Sequence, residues 1–170
     1  MDTTRAQDLA RRAASAATRT LLHRDGGSTT EQQTLTIART VEDVLRACLD
    51  PDVLDTMVSP AGSVHRSPAG VYAWTVADTT IETQAQVEPN RVVFSGGSAQ
   101  NPDEPVVTVE AWPAPQGLGA EVVLRLTVPA GTGEVGGGLA FTMLYRLRAL
   151  LQTGEAPTLG KVPSGRDGKR

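Results

Sequence analysis

The chain of 170 residues reads as an α+β fold: a curved antiparallel sheet of about six to seven strands wrapped on a long C-terminal α-helix. Two short helices are expected after the first strand, and an extra helix before it. Three observations predict this. From Ser63 to Val128 the apolar residues recur with a period of two; from Leu139 to Glu155 the spacing becomes helical; and Val41 to Met57 carries two brief helical patterns between sheet segments.

Each element follows from its residues. Thr3 to Arg24 reads as a helix rich in Ala and Arg, with Leu9, Ala13, Ala16, Ala17, Thr20 and Leu21 along one side. That stripe is thin for a core helix. Asp25-Gly26-Gly27-Ser28 breaks it and sets a boundary. Gln33 to Arg39 alternates as the first strand, with Leu35 and Ile37 on one face. Thr40 is placed to cap the next helix, with Glu42 and Asp43 in its first turn, where carboxylates suit the helix dipole. Asp50 caps a second short helix that has Pro51 at its first position. The strands then run Ser63–Arg66, Gly70–Val76, Thr79–Glu88, Arg91–Ser95, Pro105–Trp112 and Ala120–Val128, joined by short turns rich in Gly and Pro. Clean alternation gives each strand one wet face and one covered face. The long terminal helix is the element left to cover it. Gly154 ends that helix as its C′ residue, and Pro157 prevents it from continuing.

Length favours one domain: an N-terminal arm (1–28), a folded unit (29–155) and a C-terminal tail (156–170). A net charge of −3 gives no case for nucleic acid. The single Cys48 fits a reducing compartment, and no stretch approaches a membrane span or a secretory leader, so a cytoplasmic location is expected.

The order of elements carries a resemblance. Thr36-Ile37-Ala38-Arg39 with Val41-Glu42-Asp43-Val44, then Leu49-Asp50-Pro51-Asp52-Val53-Leu54, looks like an opening strand, a helix start and an Asp-Pro break. Tyr72-Ala73-Trp74, Pro89-Asn90-Arg91-Val92-Val93-Phe94, and the pair Val109 to Pro115 and Gly119 to Val122 follow in order, closed by Leu147 to Pro157. Together, over 34–166, they resemble the helix-grip (START-like) superfamily, in its bacterial polyketide cyclase/dehydrase-like branch. The resemblance implies a helix-grip fold with a cavity between sheet and terminal helix. The family has no single shared catalytic motif. Pro129 to Gly138 is compact and glycine-rich where the family often has a longer linker, which implies a smaller or looser cavity mouth.

Aromatic residues are 4% of the chain, so their placement is informative. Tyr72 and Trp74 share a strand face, Phe94 lies on a later strand, and Leu139, Met143, Leu147 and Leu150 form the helix stripe. Tyr72, Trp74, Phe94, Leu139, Met143 and Leu147 are therefore the expected ligand-binding residues, for a small hydrophobic, lipid- or polyketide-like molecule. They would equally serve as plain core. No cofactor or metal is expected, since His23 and His65 lack ligands at metal spacing. His65 as a general base at the cavity mouth, and Glu110 with Arg125 as an inward polar anchor, are minor alternatives to a solvated histidine and an exposed cross-strand pair. Gly136-Gly137-Gly138 lacks the phosphate-loop spacing and reads as a linker or lid hinge. Arg146 and Arg148 are expected to face away from the helix stripe. Three functional classes remain: a binder without catalytic residues, a polyketide cyclase or dehydrase that orients a chain, and an interaction module using the N-terminal helix and basic tail. Oligomeric state, including a homodimer, is left open.

Overall fold

The computed structural model describes residues 24–25, 28–76, 78–96, 102–129 and 138–157. Among the described residues, eight strands and three α-helices follow one another: β1 (Arg24–Asp25), β2 (Ser28–Ile37), α1 (Val41–Ala47), α2 (Pro51–Val58), β3 (Gly62–Arg66), β4 (Val71–Val76), β5 (Thr79–Glu88), β6 (Arg91–Gly96), β7 (Pro105–Pro113), β8 (Ala120–Pro129) and α3 (Leu139–Thr153). All strands form one antiparallel sheet in the order β1-β2-β8-β7-β6-β5-β4-β3. From β3 to β8 each strand lies beside its chain neighbours, so the meander is built from local hairpins. The exception is β2, which closes onto β8 from the far end of the chain, Ser28 opposite Pro129 and Ile37 opposite Ala120. The sheet curls around α3 as the sequence implied.

Two expectations need correction. The first strand starts at Ser28 rather than Gln33 and ends at Ile37. Thr29, Thr30 and Glu31 look like loop in sequence, yet the ladder with β8 supplies partners to their backbones. Arg24, expected as the end of a helix, is instead in β1, where it pairs with Thr29. The rest of the expected N-terminal helix, Gly136 and Gly137, and residues 158–170 lie outside the described residues.

The short helices are capped as their sequences require. The Thr40 hydroxyl accepts from the Asp43 amide at 3.1 Å, and the Asp50 carboxylate accepts from the Asp52 amide at 2.9 Å. The helix α2 packs on β3 and α3, and α3 packs on β2 and β8. The Asp55 carboxylate of α2 accepts the Val64 amide at 2.9 Å, on the side of β3 that, among the described residues, has no neighbouring strand. Gly119 lets the β7–β8 hairpin close over the end of β2: a Cβ there would stand 2.1 Å from the Ile37 carbonyl oxygen, and its φ is +112°.

The core lies between the inner sheet face and the helices. Ile37, Val64, Val92, Val107, Val109, Val122 and Leu124 come from the sheet, Val44, Leu54, Met57 and Val58 from the short helices, and Ala140, Met143, Leu144 and Leu147 from α3. Burying a side chain of this kind contributes roughly 1.5–3 kcal/mol. The opposite face holds a polar ladder. Arg125 bonds Glu110 at 2.6 Å and Gln32 at 2.9 Å, and Arg91 approaches Glu110 at 4.0 Å. Glu110 and Arg125 thus form the outer cross-strand pair, not an inward anchor.

Candidate functional site

Alternation along β4 turns Tyr72 and Trp74 inward, and register brings other inner positions level with them. Trp74 stands opposite Val64 and Ile81, Tyr72 opposite Thr83, and Phe94 opposite Ala85 and Val107. The three rings meet. Tyr72 and Trp74 each place their centroid 5.1 Å from that of Phe94, at 81° and 76°, both edge to face. This geometry matches the positive edge of one ring to the negative face of the next. Phe94, with no exposed surface, is the shared partner.

Each polar tip in this cluster has a partner. The Tyr72 hydroxyl donates to the Leu49 carbonyl at 2.7 Å, tying β4 to the link between α1 and α2. The Trp74 indole Nε1 donates to the Thr83 hydroxyl at 2.9 Å, and that hydroxyl faces the Tyr72 carbonyl at 3.5 Å. Arg66, opposite Tyr72, lays its guanidinium 5.3 Å from the ring centroid. A cation over an aromatic face is held by the ring quadrupole.

The other three expected residues are on α3. Leu139, Met143 and Leu147 are buried along one helix face, in the same apolar core as the three rings. The structure therefore gathers all six into one core: an aromatic half on β4 and β6, and an aliphatic half on the helix that lies over β2 and β8.

Two charged groups at this interior escaped the sequence reading. Glu31 is buried, and its carboxylate accepts from the Ala140 amide at 3.2 Å. It shares a row of inner positions with Leu126, Val107, Phe94 and Ala85. The helix begins at Gly138, which has no side chain to offer as a cap, so Glu31 caps it from the sheet. Arg146 is buried too, contrary to the expectation that it faces away. Its Nε donates to the Thr56 carbonyl at 2.7 Å, and its Nη1 to the Pro157 carbonyl at 2.9 Å. Arg148 does face outward and bonds Gln152.

The remaining candidates lie elsewhere. His65 is exposed on the outer face, opposite Ala73, away from the apolar interior. Burial pushes the Cys48 thiol from 9.0 up to about 12, which keeps it protonated and unsuited to nucleophilic attack. One surface hollow, about 320 Å³, lies among Glu82, Gln84, Gln86, Ser95 and Asp103 near the β6–β7 connection. Among the described residues no helix is long and apolar enough to cross a membrane.

No family model matches the chain, and no curated protein does. Solved structures do. A conserved protein of unknown function from Enterococcus faecalis superposes with a TM-score of 0.56 at 13% identity, covering 84% of this chain and 82% of that one. A protein from Deinococcus radiodurans gives 0.55 at 20% identity, over 75% of this chain and 99% of the other. A third, from Mesorhizobium loti, gives 0.51 at 18%, over 74% and 98%. The fold is of the helix-grip type. At such identities the likeness concerns architecture alone.

Proposed function

We propose that the protein binds a small hydrophobic molecule, lipid- or polyketide-like, between the inner sheet face and α3. Tyr72, Trp74, Phe94, Leu139, Met143 and Leu147 would line the site. One observation carries the reading: half of the chain's six Phe, Tyr and Trp side chains meet edge to face on the inner sheet, in the same apolar core as the α3 stripe. An apolar surface with a few fixed polar tips is the usual form of a small-molecule site. The Tyr72 hydroxyl, the Trp74 indole and the Thr83 hydroxyl supply those tips. A core without a ligand could make the same ring contacts, and the experiment separates the two. Among the described residues, Glu31 and Arg146 are the buried charged groups, and each is engaged in holding α3. That favours binding over the cyclase or dehydrase alternative, which requires a titratable group free to act on substrate.

Native mass spectrometry of the purified chain should reveal a bound apolar molecule. In a Trp112→Phe background, medium-chain fatty acids should alter the Trp74 emission, and Met143→Phe, which fills the interior without adding a second indole, should abolish that response in a chain that circular dichroism shows to be folded. A ligand-free spectrum together with an unresponsive Trp74 would reject the reading.

A further inference from the structure

The outer face of the sheet, away from the apolar interior, holds the hollow of about 320 Å³ at the β6–β7 connection. Alternation along β5 sends Glu82, Gln84 and Gln86 outward into it, since Thr83 between them is buried against Trp74. At about 3.3 Å per residue these three side chains are strung over roughly 13 Å, room for an extended aliphatic chain. Val71 of β4, and Pro102 and Asp103 of the β6–β7 connection, also line the hollow.

Two departures from regular pairing shape it. The β6–β7 register shifts between Phe94 and Ser95, a bulge of the kind that re-aims a side chain. Gly96 follows at φ +139°, and a Cβ there would stand 2.5 Å from the Glu82 carbonyl oxygen, so glycine lets β6 close on β5 at this point. Ser95 stands opposite Gln84 and is only 9% exposed. Among the described residues its hydroxyl has no hydrogen-bond partner, where a buried hydroxyl ordinarily finds one. No fully sealed polar side-chain atom of the described residues is left without a partner, so this hydroxyl reaches the hollow.

The lining has a definite chemistry: two carboxylates, two amides and a hydroxyl, with no cationic side chain among them. Nearby, Glu88 and Glu110 are paired with arginines, whereas Glu82 and Asp103 have no ion-pair partner among the described residues. Nor do the described residues gather three His, Cys, Asp or Glu side chains that could hold a metal ion. An organic cation suits this set better than a bare divalent ion, which needs more oxygen ligands.

We propose that the hollow binds a small aliphatic polyamine. Its ammonium groups pair with Glu82 and Asp103, the Gln84 and Gln86 amide oxygens and the Ser95 hydroxyl accept its remaining N–H donors, and its methylenes lie on Val71 and Pro102. Isothermal titration of the full chain with spermidine at low ionic strength tests it. Saturable binding of one molecule per chain is expected. Glu82→Gln should weaken it about tenfold and Ser95→Ala about fivefold, with the thermal midpoint unchanged. Glu121→Gln, which removes the same charge elsewhere on the outer face, should leave it unaltered. Heat that does not saturate would overturn the proposal. So would equal weakening by Glu82→Gln and Glu121→Gln, which would mark a general attraction to an acidic chain, or displacement of spermidine by an equal concentration of Mg²⁺.

Discussion

The Glu31 carboxylate accepts the Ala140 amide across a separation of 109 residues, joining the start of the first long strand to the start of the last helix. It is a buried anion at the positive end of a helix dipole, where the field stabilises it and where Gly138 provides no side chain to satisfy the first amides. Glu31→Gln keeps the acceptor and removes the charge, and should lower stability by about 1 kcal/mol. Glu31→Leu removes both and should cost about 2 kcal/mol or more. Urea unfolding followed by circular dichroism measures both. Equal stability of all three proteins would contradict the cap.

Arg146 joins three segments: α3 that carries it, α2 through the Thr56 carbonyl, and the chain after the helix through the Pro157 carbonyl. Two planar donors aimed at two carbonyls require a guanidinium fork, which an ammonium does not reproduce. Arg146→Lys should therefore destabilise nearly as much as Arg146→Met, about 2–3 kcal/mol, since hydrogen bonds from charged donors are worth about 1.5–3. Full rescue by Lys, read from denaturant midpoints, would mean that charge alone matters.

Thr83 gives the Trp74 indole its acceptor at 2.9 Å inside an apolar layer. Thr83→Val preserves shape and strands the donor, a change expected to cost about 1–3 kcal/mol. Loss of the bond should also shift the emission of Trp74 in a Trp112→Phe background. An unshifted spectrum would place the indole proton elsewhere.

Cys48 sets a dependence on alkaline pH. Its thiol titrates at 9.0 in the open chain and at about 12 when buried, so between those values the folded protein retains a proton that the unfolded chain has released. The contribution is complete below pH 9 and is lost as pH rises toward 12, with a slope approaching about 1.4 kcal/mol per pH unit. Cys48→Ala should flatten that slope, and native Cys48 should resist a thiol reagent at pH 8 until denaturant is added. Rapid labelling of the native protein would refute its burial.

The strand and helix order was readable because a one-sided sheet and a one-sided helix leave different periods in sequence. Thr40 and Asp50-Pro51 announced their helices for the same reason: capping is local chemistry. The start of β2 was not local. Thr29 to Glu31 have no apolar alternation, and only pairing with β8 draws them into the sheet, which also hid Glu31 from any list of inward groups. Arg146 was recoverable. At 100° per residue it falls about 20° from Leu139, on the margin of the apolar stripe, and composition alone suggested a solvated cation. Tyr72, Trp74 and Phe94 were legible as inward rings, whereas their meeting at Phe94 depends on the register of β4, β5 and β6.

The Asp55 carboxylate at β3 has a further effect. A curled sheet that stops short of a closed barrel keeps two rims, and an unpaired rim invites another polypeptide to extend it. At β3 the Val64 amide is already taken by Asp55, so an incoming strand finds a carboxylate where it needs a donor. On the other flank, among the described residues, β1 pairs only Ser28 and Thr29 of β2. At the β3 rim the molecule thus discourages growth of its own sheet with one acidic side chain, an inexpensive guard against fibrous assembly.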